Sequence, residues 1–490
     1  MTGRLFSRRT VLAGAVASTA FAVGSGLLDG EAALAAEPAA ARPKQRGLSG
    51  PSIQIDPGFA YYQSRSPDSI ADELAINGYR IVHYFVVNEQ DVNGPVVEAL
   101  RRRGITVWAM VIGNGSYSVS GFPDDWPAWQ MRLLKPVDDG FYRFSPFSTD
   151  YLEWKKQVAS KLVSTYPFDG FEVAEPYFPE WGGLTSGVYG DVGPLAQDAF
   201  MRGYGLEIPD FTDPSSPRYY KTDTERYAKW VQLRVDAVNG FLAELVNGSG
   251  GVREARPDIL VGTWSLGVDA GPESVALERE YQGLDAAAMI SAVRPDMHIL
   301  QTNWPDWIKP DLPATYLRTY RPFLDQIRAA HPRLPLGAQT DIGSTTAMTR
   351  DDEWLRTFTD TADELGLATW TGYEYHLGGY IYQDRPVPRH VERVADDSAV
   401  ISFQKRIDPA SAKLSRSFEI VGGGQRRFIE PDAVSVDGNR VTVGTLPPRA
   451  LVSLRVANVT DQPSTWLYHK DEPANVVPDD LVVHVPPAGR

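Results

Sequence analysis

The feature that most constrains this chain is an alternation of short β-rich runs with stretches of helical periodicity, sustained from residue 52 to residue 376. The runs are SIQIDPGFAYY (52–62), YRIVHYFVV (79–87), ITVWAMVIG (105–113), the start of FDGFEVAEPYFPEW (168–181), ILVGTWSLG (259–267), MHILQTNW (297–304), LPLGAQTDIG (334–343) and LATWTGYEYH (367–376). Helical patterns at 66–77, 93–103, 149–166, 225–246 and 351–365 lie between them. Repeated βα units imply parallel strands, and eight units is the number that closes a barrel. The fold expected is α/β, a (β/α)8 barrel over 52–395. An open, doubly wound sheet competes, but it would carry a Gly-rich phosphate loop after its first strand, where Asp56-Pro57-Gly58 stands.

From about residue 398 the texture becomes all-β, with AVISFQKRI, RVTVGTL and ALVSLRVANV separated by the turn signals VDGN and LPPR. A C-terminal β-sandwich over 396–490 is expected. The proportions, 43% hydrophobic and 22% charged, are those of a folded globular protein. A net charge of −14 argues against nucleic acid, whose binding needs clustered Lys and Arg. With no cysteine, disulfides, thiolate nucleophiles and thiolate metal sites are all excluded.

Residues 1–36 are not expected to belong to the fold. Ser7-Arg8-Arg9-Thr10-Val11-Leu12 precedes an apolar run rich in Ala and Gly, and Ala33-Leu34-Ala35 offers a small-residue cleavage site. This resembles a twin-arginine (Tat) export signal. It implies a secreted or cell-envelope protein, with 37–51 as a flexible leader and no membrane span in the mature chain.

In a parallel barrel the working residues sit at the C-terminal ends of the strands. Those ends offer Asp56 and Tyr62, then His83, then Trp108 and Asn114. The fourth run gives Glu172 and Glu175, followed by Tyr177; the fifth gives Trp264, the sixth Asn303 and Trp304, the seventh Gln339 and Asp341, and the eighth Trp370, Glu374 and His376. Carboxylates and aromatics dominate. Sugar CH faces stack on aromatic rings, sugar hydroxyls need carboxylate, amide and imidazole partners, and cleaving a glycosidic bond needs two carboxyls. No His-x-x-x-His or His-x-His pair marks a metal site, no Gly-x-Ser-x-Gly elbow presents a serine, and no organic cofactor is implied.

Phe171-Glu172-Val173-Ala174-Glu175-Pro176 resembles the end of the fourth strand in the retaining TIM-barrel glycosidases that include cellulases and mannanases. There Asn-Glu-Pro carries the general acid/base, and here Ala174 replaces the Asn. Thr340-Asp341-Ile342-Gly343 is similar to that clan's Thr-Glu-x-Gly nucleophile segment, with Asp for Glu. The lead-in 144–173 looks like uncharacterised glycosyl-hydrolase-like barrels and, more loosely, α-amylase-type barrels, whose nucleophile Asp would align with Ala174.

These resemblances imply a glycoside hydrolase acting on a poly- or oligosaccharide, with Glu175 as general acid/base and Asp341 as nucleophile or base. Glu172 and Glu374 stand in reserve. Asp56, Tyr62, His83, Trp108, Asn114, Tyr177, Trp264, Asn303, Trp304, Gln339, Trp370 and His376 are the candidate sugar contacts. Strand parity puts Glu172 inside the barrel, so Glu175 reaches the mouth only if the chain twists or bulges before Pro176. Two alternatives stay open: a glycan-binding protein on a degenerate barrel, favoured by Ala174 and Asp341, and a metal-dependent deacetylase or amidohydrolase in which Asp56, His83 and His376 converge.

Overall fold

Eight parallel strands pair each with the next and close on themselves. They are β1 (Gly50–Ile55), β2 (Ile81–Val86), β3 (Thr106–Ile112), β4 (Gly170–Ala174), β5 (Leu260–Gly267), β6 (Met297–Thr302), β7 (Leu336–Asp341) and β8 (Thr369–Tyr373). Closure is made by β1 on β8, with Gly50 opposite Thr369 and Pro51 opposite Trp370. The computed structural model describes residues 44–421, 426–448 and 450–487. The expected export signal at 1–36 and the first part of the leader lie outside the described residues.

Nine helices of eight residues or more pack around the barrel among the described residues: α1 (Pro67–Ile76), α2 (Gly94–Arg102), α3 (Thr149–Thr165), α4 (Pro194–Tyr204), α5 (Thr224–Asn247), α6 (Ser274–Gln282), α7 (Ala286–Val293), α8 (Arg321–Ala330) and α9 (Asp352–Glu364). Their starts are written in the sequence. Ser66, Asn93, Ser148, Asp223, Asp285 and Asp351 each accept a backbone N–H of the first turn with the side chain, satisfying donors a helix otherwise leaves open. None of the described helices is long and apolar enough to cross a membrane.

The strands are shorter than the β-rich runs because polar residues turn the chain at their ends. β1 stops at Ile55, where Asp56 accepts the Gly58 N–H (2.9 Å) and its own carbonyl accepts from Phe59. Tyr61 and Tyr62, expected on the strand, therefore sit on a 3-10 turn (Ala60–Tyr62). β6 stops at Thr302, and Asn303 caps the short helix Trp304–Trp307.

The last part of the expected leader is among the described residues. Lys44–Gly47 forms a 3-10 turn against the N-terminal end of the barrel, where the Gly47 carbonyl accepts from Trp108 Nε1 (3.2 Å).

The C-terminal domain is a pair of four-stranded antiparallel sheets. One runs β9 (Pro388–Ala395), β10 (Ser398–Phe403), β14 (Arg440–Val443), β13 (Val434–Asp437); the other runs β12 (Arg427–Phe428), β11 (Phe418–Val421), β15 (Val452–Val456), β16 (Val482–Val485). It begins upstream of 396, because β9 pairs along its length with β10. Ile401, Phe403, Val441, Val443, Leu454 and Val456 fill its core.

Between β15 and β16 a long segment leaves the sandwich for the barrel. Trp466 is fully buried there and joins the barrel's apolar core beside Tyr382. Its base is pinned by Asp461, which accepts from Asn475 and from the buried Lys405 ammonium (2.9 Å), while Lys405 also donates to the Ile381 carbonyl (3.3 Å).

Candidate active site at the C-terminal end of the barrel

β4 carries the sequence that most suggested chemistry, and it splits the two glutamates. Glu172 points inside the barrel and is fully buried, with His83 Nδ1 at 2.6 Å from one carboxyl oxygen and Trp264 Nε1 donating to the other at 2.9 Å. His83 Nε2 in turn lies 3.2 Å from Ser52 Oγ. Serine, histidine and glutamate thus have the connectivity of a hydrolase triad. All three are sealed from solvent, and Ser52 Oγ donates to the Trp370 carbonyl (2.5 Å), so the chain is a brace across β1, β2, β4 and β5. His83 and Trp264, expected at the mouth, are therefore spent inside with Glu172, which strand parity puts there.

Glu175 differs. It follows the inward Ala174 with a left-handed backbone (φ 52°), the twist that strand parity requires. It is only partly buried, yet its Oε2 is shielded and has no hydrogen-bond partner among the described residues. Its neighbour just past β3 is Asn114, joined to it by a backbone hydrogen bond (Asn114 N to Glu175 O, 3.4 Å). Both polar atoms of the buried Asn114 amide likewise lack a partner. Buried polar groups are nearly always bonded, so such capacity is what water or a ligand hydroxyl takes up.

Beyond Pro176 the aromatics divide. Phe178 is core, its ring under the buried Arg234 guanidinium (4.5 Å), and its N–H donates to the Gln282 carbonyl. Trp181 stands edge-on to Tyr281 (5.1 Å), and Tyr177 remains half-buried.

On the far side of the mouth, Glu374 accepts from the Asp56 N–H (3.0 Å), from the Tyr62 hydroxyl (2.8 Å) and from the His376 N–H (2.9 Å), with His376 Nδ1 also at 2.9 Å. Its oxygens are committed. Burial pushes the Asp56 carboxyl up to about 7, the Gly58 N–H opposes this, and the Glu374 charge adds to it. Burial, then Glu374, also raises Tyr62 well above the usual phenol range.

Asp341 closes β7. Its carboxylate accepts from the Gly343 N–H (3.1 Å), the Ser344 N–H (2.9 Å) and the Ser344 hydroxyl (2.6 Å). One step below it, Gln301, Gln339 and Thr371 lie side by side in register on β6, β7 and β8. They face inward, since the adjacent Leu300, Ala338 and Trp370 pack against the outer helices. Each has a buried side-chain oxygen without a partner among the described residues, which makes this stretch of the barrel lining polar. The Gln339 amide nitrogen donates to the neighbouring Thr340 carbonyl.

Three expected sugar contacts are displaced. Trp370 faces outward onto Phe358 (6.0 Å), and Trp108 is sealed near the opposite end of the barrel by the Gly47 contact. Asn303 spends its amide on Glu278 (2.8 Å), Gln282 (2.7 Å) and the Trp304 N–H. Trp304 itself is half-exposed, and its shielded indole N–H has no partner among the described residues, the features of a sugar platform with a polar handle.

Burial also pushes the Glu278 carboxyl up to about 8, against the Asn303 hydrogen bond. Glu278, unmarked in the sequence, borders a small cavity outside the barrel with Ser265 and Phe323. Among the described residues no three His, Cys, Asp or Glu side chains are grouped so as to hold a metal ion.

No family model matches the chain, and no curated protein matches it. Among solved structures it is similar to the glycoside hydrolase domain of PgaB (BpsB) from Bordetella bronchiseptica, at 14% identity and a TM-score of 0.49, over 66% of this chain and 93% of that one. It is also similar to the glycoside hydrolase domain of PelA from Pseudomonas aeruginosa (9%, 0.37, 66% and 94%) and to an endo-β-1,4-mannanase from Thermotoga petrophila (8%, 0.37, 91% and 99%). With TM-scores below 0.5 these likenesses carry no weight for what the chain does.

Proposed function

We propose that the protein is a glycoside hydrolase that cleaves a poly- or oligosaccharide outside the cytoplasm, with Glu175 as general acid/base. The observation that carries the reading is the shielded, unpartnered carboxyl oxygen of Glu175 at the end of β4, next to the equally unpartnered Asn114 amide. A carboxyl with one oxygen so placed, shielded without a protein partner among the described residues, suits proton transfer to a leaving glycosidic oxygen. Asp341 lies three strands away around the barrel and is the partner carboxylate, its orientation fixed by Gly343 and Ser344. Trp304 supplies a stacking face, and the polar lining from Gln301 to Thr371 supplies hydroxyl partners.

The full engagement of Asp341 and Glu374 favours a second reading, a barrel that binds glycan without cleaving it. Product release from plant, fungal and bacterial-envelope glycans separates the two. Cleavage by wild type and its loss, by about 100-fold or more, in Glu175→Gln supports the hydrolase. Binding by both proteins with turnover by neither supports the binder, and equal turnover by both removes Glu175 from the role.

A further inference from the structure

Of the two carboxylate-bearing turns that follow β7 and β8, the first is held directly from the C-terminal domain and the second through Tyr382, which packs against that domain. Tyr468 donates its hydroxyl to the Ser344 carbonyl (2.8 Å), and Ser344 is the residue whose N–H and hydroxyl fix Asp341. Tyr382 donates to the His376 carbonyl (3.3 Å), and His376 is bonded to Glu374. Tyr382 packs in turn against Trp466 (5.2 Å) and His469 (4.6 Å) of the same C-terminal segment. Tyr468 is half-buried, and burial followed by the Asp341 charge raises its phenol, which places the ring within the field of that carboxylate.

We infer that the segment 463–469 is a structural part of the barrel's site, and that Tyr468 is a positioning residue acting on Asp341 through Ser344. The kinetic part of this inference rests on the hydrolase reading above; the positioning part does not. A ring at 468 without a hydroxyl should leave both domains folded but free the 342–348 turn, so that Asp341 loses its fixed direction. The segment belongs to the sandwich by sequence and to the site by position.

The test is Tyr468→Phe in the full chain, with Tyr382→Phe as the second variant acting on the β8 turn. Amide hydrogen exchange in a peptide covering 342–348 should quicken by up to about tenfold in Tyr468→Phe at an unchanged melting temperature, since one net hydrogen bond is lost. On whichever glycan of the panel the wild type cleaves, kcat should fall with KM held, and the pH–rate profile should shift. Ser344→Ala should reproduce both effects. Unchanged exchange at 342–348 overturns the inference, and so does faster exchange with an unaltered kcat and pH profile. If the wild type cleaves nothing in the panel, the hydrolase reading falls by itself, and the exchange comparison still decides whether this loop holds the Asp341 turn.

Discussion

At the scale of single residues the mouth holds carboxyls of different kinds. Burial raises the Asp56 carboxyl to about 7 from an ordinary 3.8. Its sign for stability is negative. Between about pH 4 and pH 7 the folded protein keeps a proton that the unfolded chain has released, so stability falls as pH rises through that window. The loss is on the order of 4 kcal/mol for a shift of about three units. Asp56→Asn retains an acceptor for the Gly58 N–H and removes the titration. Its denaturation midpoint in urea is expected to vary much less between pH 4.5 and pH 7.5 than that of wild type; equal slopes would show that Asp56 does not titrate in this range. If Asp56 also serves the reaction, the variant loses one limb of the pH–rate profile. The backbone twist at Glu175 was legible from parity together with the Pro that follows it, whereas the engagement of Asp341 by Ser344 was not, since a turn's hydrogen bonds leave no periodic trace.

At the scale of elements, all eight strands were readable as β-rich runs between helical patterns. Their faces were not. Parallel barrel strands are apolar on both sides, so alternation does not say which side meets the helices. Trp370 was misplaced for that reason and Trp108 because it lies near the opposite end of the barrel, and Gln301 was missed although it sits on β6 two residues before the capping Asn303. Inside, the packing is set by small residues beside large ones. A Cβ on Gly170 would lie 2.3 Å from the Trp108 ring, which is itself wedged by Gly47 and His83. Gly170→Ala is expected to destabilise the protein by about 1–3 kcal/mol or more through overpacking. The check is a denaturation midpoint measured beside Gly203→Ala, whose Cβ would meet nothing within 4 Å; equal midpoints would mean that β4 yields freely.

At the scale of the whole molecule a buried ion pair of the C-terminal domain sits against the barrel side, since Lys405 also donates to the Ile381 carbonyl. Lys405 and Asp461 are both fully shielded; burial lowers the ammonium and raises the carboxyl, and each partner opposes that shift in the other. Lys405→Met or Asp461→Leu alone leaves an unpaired buried charge, expected to cost about 3–5 kcal/mol, while the double variant should recover much of that loss. A double-mutant cycle on thermal midpoints checks this, and strict additivity would show that the pair is not coupled. The sequence announced a sandwich but not its reach, since Tyr468 meets Ser344 across 124 residues of chain.

That reach bears on how such a chain can change over generations. A domain that only braces its neighbour can be exchanged for another, and recombination at a linker then yields working hybrids. Here the segment between β15 and β16 inserts Trp466 into the barrel core and sets Tyr468 at its rim. A transplanted sandwich would bring a stranger's loop to that place. The barrel and the sandwich should therefore be inherited as one unit, and variation in the loop between β15 and β16 should track variation at the barrel mouth rather than in the sandwich strands.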